Sequence, residues 1–202
     1  HEPQAGIIVQ RNACPAPLVC ARDHDFHTLE HSPPVAPVML RSEDPLYILH
    51  TSGTTGTSKG IVRDNGGHAV ALALSMELIY GCRSGDTFFT TSDLGGVVGH
   101  SYGVYAPLIN GCTSVIVEGA TTSAALRTLC HEHAVTCLFT TPTQMRLLRQ
   151  ENRNLPAHPP AALARVFVAG EYADPTLLDW ARAYFQKPVV NHWWQPETGW
   201  SI

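Results

Sequence analysis

Apolar positions along this chain fall into short runs parted by glycine-, proline- and asparagine-bearing turns, and the runs alternate between strand-like and helix-like spacing. Strands are expected at residues 6–9, 46–50, 87–91, 113–118, 135–140, 165–169 and 188–191. Helices are expected from a cap at Asp64 or Asn65 to about Tyr80, from about Ser101 to Ile109, and from a Ser123 cap to about His133. Two more are expected from Pro142 to about Gln150 and from Pro175 to Phe185. The helix after Asn65 is apolar on nearly every side, which predicts burial. Residues 1–45 hold one short apolar run among prolines and acids. They read as a strand and an irregular connection, because Pro34 would break a helix. Strand–helix alternation of this kind predicts an α/β fold with a largely parallel sheet and covering helices. Ligands then sit beyond the carboxyl ends of the strands.

The strand ending at His50 runs into the densest chemical stretch of the chain, Thr51-Ser52-Gly53-Thr54-Thr55-Gly56-Thr57-Ser58-Lys59-Gly60. Glycines let backbone N–H groups close on an anion, the hydroxyls add donors, and Lys59 adds a mobile charge. It is not a Walker A loop, since Ser58 rather than glycine precedes the lysine and Gly60 follows it. The alternative is a polar surface loop. Residues 92–102 form a second small-residue loop, which alone reads as a plain strand-to-helix connection. Gly170 and Glu171 also follow a strand. Residues 191–200 carry Trp193, Trp194 and Trp200 around an amide and a carboxylate, either a flat half-polar ligand wall or an aromatic core plug.

Composition narrows the rest. With 202 residues, 44% of them hydrophobic, the chain can bury a sizeable core. A net charge of −4 with scattered basic residues argues against nucleic acid. The six cysteines form no C-x-x-C pair and read as reduced thiols. The eleven histidines read as surface or capping residues; the tightest group, His131-Glu132-His133, lacks zinc-protease spacing. No apolar run is long enough to cross a bilayer. The first residue is His1 and the last, Ile202, directly follows a motif-like segment, so a fragment of a longer protein is expected.

The residue 51–60 loop resembles the signature loop of the adenylate-forming superfamily, with Ser58 where proline is usual. Taken with the other three loops, in this order and spacing, nearly the whole chain resembles the AMP-forming acetyl- and propionyl-CoA synthetases. Their corresponding segments read like A-D-x-G-W-V-x-G-H-S-Y, A-G-E-P and D-x-W-W-Q-T-E-T-G. The stretch Phe167-Val168-Ala169-Gly170-Glu171 and the helix bearing Trp180 are most similar to the mitochondrial, propionate-favouring branch. The resemblance implies part of the large N-terminal domain, with the N-terminal portion and the C-terminal lid absent. It implies ATP, Mg2+ and CoA, a short-chain carboxylate, and no nucleic-acid partner or membrane insertion. It also implies the mitochondrial matrix, with the cytoplasm as the alternative.

Carried over by position, Thr51, Ser52, Gly53, Thr54, Thr55, Gly56 and Lys59 would hold the β- and γ-phosphates. Gly170, Glu171 and Tyr172 would meet adenine, and Asn191, His192, Trp193, Trp194, Gln195 and Pro196 would line the nucleotide. Glu197 would bind magnesium, with Lys59 as its catalytic counterpart. Val97, Val98, Ala169 and Trp194 would enclose the acyl chain, and Val98 and Thr122 would meet CoA. Four further departures stand out: Pro196 for threonine, Tyr172 for proline, Gly96 for tryptophan and Asn191 for aspartate. Pro196 has no donor with which to touch the α-phosphate. The family's C-terminal lysine, ribose-binding aspartate and arginine motifs have no counterpart in these 202 residues, so the isolated chain is expected not to form acyl-CoA. The rival expectation is a truncated product that binds nucleotide or a partner without turnover.

Overall fold

A computed structural model describes residues 5–10, 15–51, 56–119, 121–152 and 159–202. The chain separates into two units, residues 1–39 and 40–202. In the first, β1 (Gly6–Ile8) pairs in parallel with β2 (Asp23–Asp25), and Asp25 caps the short helix α1 (Phe26–Leu29). β2 and α1 were not expected from the sequence. Their side chains show no clear periodicity; the Asp23 carboxylate fixes the turn, accepting from the Val19 amide and the Arg22 guanidinium. That pairing, led by Arg22, lowers its pKa to about 2.

The second unit opens with an antiparallel hairpin, β3 (Pro45–Thr51) and β4 (Lys59–Asp64). β4 is a correction to the sequence reading, which ran the phosphate loop straight towards a helix. Asp64 then caps α2 (Asn65–Leu78), accepting from the Gly67 amide at 3.1 Å. The five-stranded sheet that follows is wholly parallel. Its strands are β5 (Thr87–Thr90), β6 (Thr113–Val115), β7 (Cys137–Thr140), β8 (Arg165–Val168) and β9 (Val189–Asn191), in the order β6-β5-β7-β8-β9.

The chain steps outward from β5 to β6, then returns across β5 to β7 and continues to β9. This places a topological switch between β5 and β7. The outward step runs through α3 (Val97–His100), a π-helical turn (Ser101–Tyr105) and α4 (Ala106–Ile109), where a single helix from Ser101 was expected. The return steps use α5 (Ser123–Glu132), α6 (Pro142–Glu151) and α7 (Pro175–Phe185). Right-handed crossovers that reverse direction put their helices on opposite faces of the sheet.

Period-two alternation assigns the strand side chains to the two faces. Phe89, Leu138, Val166 and Val168 pack with Leu126, Met145, Leu148 and Leu177 of α5–α7. Phe88, Cys137, Phe139 and Phe167 pack with Leu72 and Met76 of α2 and with Tyr102 and Ala106. α2 departs from expectation: His68, Leu72, Ser75 and Met76 are buried, but Val70, Leu74 and Leu78 are exposed. The cap of α5 is Thr122, not Ser123, because the Thr122 hydroxyl accepts from the Ala125 amide. β6 ends at Val115, three residues short of the expected strand. Cys20, Cys82, Cys112, Cys130 and Cys137 are free thiols, as expected; Cys14 lies outside the described residues.

Candidate active site

The carboxyl ends of β7, β8 and β9 are stitched together by hydrogen bonds that continue past the strands. Ala169 N donates to Thr140 O at 3.2 Å and His192 N to Val168 O at 3.0 Å. Thr91 N donates to Phe139 O, and the Thr91 and Thr140 hydroxyls meet at 2.9 Å. The loops beyond these ends are therefore held in fixed relation. Between the loops after β8 and β9 opens a cavity of about 610 Å³, lined by residues 170–173, Asn191, His192, Trp193, Trp194 and Ile202. Two stretches singled out in the sequence, Gly170-Glu171-Tyr172 and Asn191 to Trp194, thus face one space.

The first wall is braced from α6. Thr143 Oγ1 donates to Glu171 Oε2 at 2.7 Å, Arg146 reaches the same oxygen at 3.3 Å, and Arg146 also donates to Tyr172 O at 2.8 Å. Glu171 is thereby a brace between loop and helix, and the Tyr172 ring is left exposed at the rim. Neither Thr143 nor Arg146 carried a sequence signal; both sit in ordinary helical spacing.

The second wall joins the aromatic face of the sheet. Trp194 is buried and meets Tyr102 edge-on, with centroids 5.5 Å apart. It belongs to the same buried aromatic cluster as Ala169, and Val97 and Val98 pack against that cluster. Gly99, inside α3, lets that helix pack against the loop before it, since a Cβ there would lie 2.0 Å from Asp93 O. The His192 ring packs against Phe139, Phe167 and Tyr80, and neither ring nitrogen has a hydrogen-bond partner among the described residues. Burial lowers its pKa to about 4, so it is neutral at ordinary pH. His192 and buried His68 are exceptions to the expectation of surface histidines, which His24, His27, His31, His50, His131 and His133 meet. Burial also pushes Tyr102 up to about 12, although Ser75 Oγ lies 2.7 Å from its hydroxyl.

Other positions stand apart from the cavity lining. Lys59 is exposed and pairs across the hairpin with Thr51, while Ser58 Oγ donates to Thr51 O at 3.0 Å. Gly56 is exposed as well; Ser52, Gly53, Thr54 and Thr55 lie outside the described residues. Gln195, Pro196 and Glu197 belong to a turn closed by Thr198, whose backbone N–H donates to Gln195 O at 3.0 Å. Thr122, at the start of α5, is exposed. Arg63, which the sequence did not flag, donates to Pro196 O. Among the described residues no group of three or more side chains could hold a metal by itself. Glu197, one exposed carboxylate, suits a Mg2+ bound chiefly through nucleotide phosphates.

A wholly parallel sheet with covering helices and a cavity past its strand ends is the open α/β class of fold, in which ligands bind beyond the carboxyl ends of the strands. Residues 2–202 match the family model described as AMP-binding enzyme, and the chain belongs to that family. It is 44% identical to the mouse mitochondrial acyl-CoA synthetase short-chain family member 3, over 98% of this chain and 30% of that protein. It is 39% identical to propionate–CoA ligase of Escherichia coli, over 100% of this chain and 33% of the ligase. A crystal structure of an acyl-CoA synthetase from Brucella canis superposes with a TM-score of 0.80 at 29% identity, covering 91% of this chain and 34% of that one. The chain thus spans about a third of the length of these relatives.

Proposed function

We propose that this chain supplies the nucleotide- and acyl-binding parts of an AMP-forming ligase that joins a short-chain carboxylate to CoA. The observation that carries this reading is that Trp194 lines the 610 Å³ cavity and also belongs to the buried cluster that holds Ala169 and is flanked by Val97 and Val98. A nucleotide in the cavity would present its α-phosphate near a small apolar recess closed by an indole. A carboxylate oxygen attacks the α-phosphorus, the bond to pyrophosphate breaks, and acyl-AMP forms. The CoA thiolate then attacks the acyl carbon and AMP leaves. Positioning and charge neutralisation carry such chemistry.

In this reading Gly170, Glu171 and Tyr172 flank adenine, and Asn191 to Pro196 line the nucleotide. Thr51 to Gly56 and Lys59 meet the β- and γ-phosphates. Mg2+ at Glu197 supplies charge neutralisation to the phosphates. Val98 and Thr122 lie where CoA approaches. Ala169 leaves the recess room for propionate, since one methylene in an apolar pocket discriminates by about 1–3 kcal/mol. The mitochondrial naming of the mouse relative supports the mitochondrial matrix; the likeness to a bacterial ligase supports the cytoplasm as the alternative.

The test is calorimetric titration of the chain with non-hydrolysable propionyl-, acetyl- and octanoyl-adenylate analogues. Propionyl should bind tightest, and Ala169→Val should narrow or reverse its lead over acetyl. Equal affinity for all three would remove the acyl recess from the account. A second reading, nucleotide binding without turnover, is favoured by Pro196, which offers no N–H or hydroxyl to the α-phosphate. Carboxylate-dependent pyrophosphate exchange, in a protein carrying this chain at the length of its relatives, separates the two.

A further inference from the structure

Two parts of the proposed site lie far apart in sequence: the hairpin that carries Lys59 and the turn that carries Glu197. One side chain joins them. Arg63, half-buried on β4, donates to the carbonyl oxygen of Pro196 across a sequence separation of 133 residues. That carbonyl belongs to the same peptide unit as the Glu197 N–H. The bond therefore fixes the plane from which the Glu197 side chain leaves.

A second observation makes the same contact from the other side. Gly199 is buried, has φ +83°, and lies against the face of the guanidinium. A Cβ there would sit 2.9 Å from Arg63 Cζ and 3.0 and 3.1 Å from its two terminal nitrogens. Such a contact is too close for a side chain to sit at ease against a planar group held at its edge. Glycine at 199 thus meets two demands together, a left-handed backbone and room for Arg63.

The turn is otherwise closed on itself. Thr198 N donates to Gln195 O, and the Thr198 hydroxyl lies 2.9 Å from both Gln195 O and Trp200 O, with its one proton shared between them. Pro196 adds a fixed φ. Such a turn moves as a body, and a tie at one point orients all of it. The tie comes from a defined side of the hairpin. Side chains alternate along a strand, so Lys59, Ile61 and Arg63 share one face. Lys59 and Arg63 are then about 13 Å apart along the strand.

We propose that Arg63 is a positioning residue that locks the Glu197 turn onto the Lys59 face of the hairpin, so that cation and carboxylate meet the nucleotide's phosphates as one unit. This rests on the function proposed above. Arginine suits the task because its planar fork can donate at its edge while its face lies against Gly199. Loss of a charge-assisted hydrogen bond corresponds to about tenfold in an equilibrium constant.

The experiment has two arms, both on the 202-residue chain with Arg63→Gln, Arg63→Lys and Gly199→Ala. The first is hydrogen–deuterium exchange. Arg63→Gln should speed exchange in residues 195–200 about tenfold while leaving β7 and β8 unchanged, and Arg63→Lys should fall between. Gly199→Ala should loosen the same residues and add little when combined with Arg63→Gln. Unchanged exchange at 195–200, or a rise equal to that of the core strands, overturns the tie. The second arm is calorimetry with MgATP and with AMP free of metal. Arg63→Gln should weaken MgATP about tenfold and AMP less than about twofold, and Arg63→Lys should recover part of the loss. Equal weakening of both ligands makes Arg63 a merely structural residue and overturns its part in phosphate binding. No MgATP binding by the unsubstituted chain sinks the functional reading and the phosphate-facing part of this one, while the exchange arm still decides the tie.

Discussion

The two faces of the parallel sheet are built from different materials. Under α5, α6 and α7 lies a mostly aliphatic layer of Leu126, Leu138, Leu148, Leu163, Val166 and their neighbours. Under α2 and the π-helical turn lies a layer of rings, Tyr80, Phe88, Tyr102, Phe139, Phe167 and Trp194, with hydroxyls, thiols and the His192 ring among them. The first layer has little polar chemistry to satisfy. The second carries both His192 nitrogens without a hydrogen-bond partner among the described residues; on the first, Ser123 Oγ at the start of α5 is also unpaired. Unpaired buried polar groups lower stability. The aliphatic face holds the sheet together, and the aromatic face gives up stability to form a wall of the cavity.

The comparison can be broken most sharply at Leu138. This side chain is fully buried in the aliphatic layer, and Leu138→Ala should cost about 2–5 kcal/mol in denaturant unfolding. Adenylate-analogue affinity at low temperature, where the variant is folded, should stay within about twofold, far less than one tenfold step. A large affinity loss would show that the faces are not separable.

His192 sets the next effect. Burial holds its folded pKa at about 4, against about 6.5 unfolded. The folded chain therefore refuses a proton that the unfolded chain accepts. Stability from this group is full above pH 6.5 and falls as pH drops from about 6.5 towards 4, by up to about 3 kcal/mol. Unfolding midpoints at pH 7 and 4.5 should differ, and His192→Leu should shrink that difference. An unchanged pH dependence would mean that the ring is not the acid-sensitive element of the aromatic face.

Smaller again is the pair Ser75 and Tyr102. Tyr102→Phe removes a buried 2.7 Å hydrogen bond, but Ser75 Oγ keeps its donation to Leu72 O. The cost should be about 0.5–1.5 kcal/mol. A gain in stability would show that the polar pair is a net burden on its face. The smallest effect is expected at Arg146, whose ion pair with Glu171 is exposed. Arg146→Gln should change stability by less than about 1 kcal/mol. It should still raise the mobility of residues 170–174, visible as faster amide exchange there and nowhere in β7. Uniform exchange would detach the brace from the cavity wall.

Several of these features were legible in the chain itself. Pro175–Phe185 matches the expected helix end for end, because Asp174 caps it and Pro175 fits its first turn. The central strands were legible because buried parallel strands are short, continuous apolar runs. β4 was missed because Lys59-Gly60-Ile61-Val62-Arg63-Asp64 pairs only through its partner strand, and its own alternation is shallow. α2 seemed buried because composition shows how much of a helix is apolar, not which side has a neighbour.

By itself, the sequence determined much of what is local: most of the strand and helix alternation, the Asp64 cap, and the chemical loops placed after strands. Those follow from backbone sterics and side-chain period, which act over a few residues. The tertiary structure alone decided which distant groups meet. It set the β6-β5-β7-β8-β9 order, made Gly170 to Ala173 and Asn191 to Trp194 two walls of one cavity, and gave Arg63 its carbonyl at Pro196. The physical reason is that contacts between residues 133 positions apart depend on how the sheet closes and twists, and no spacing within the chain encodes that closure.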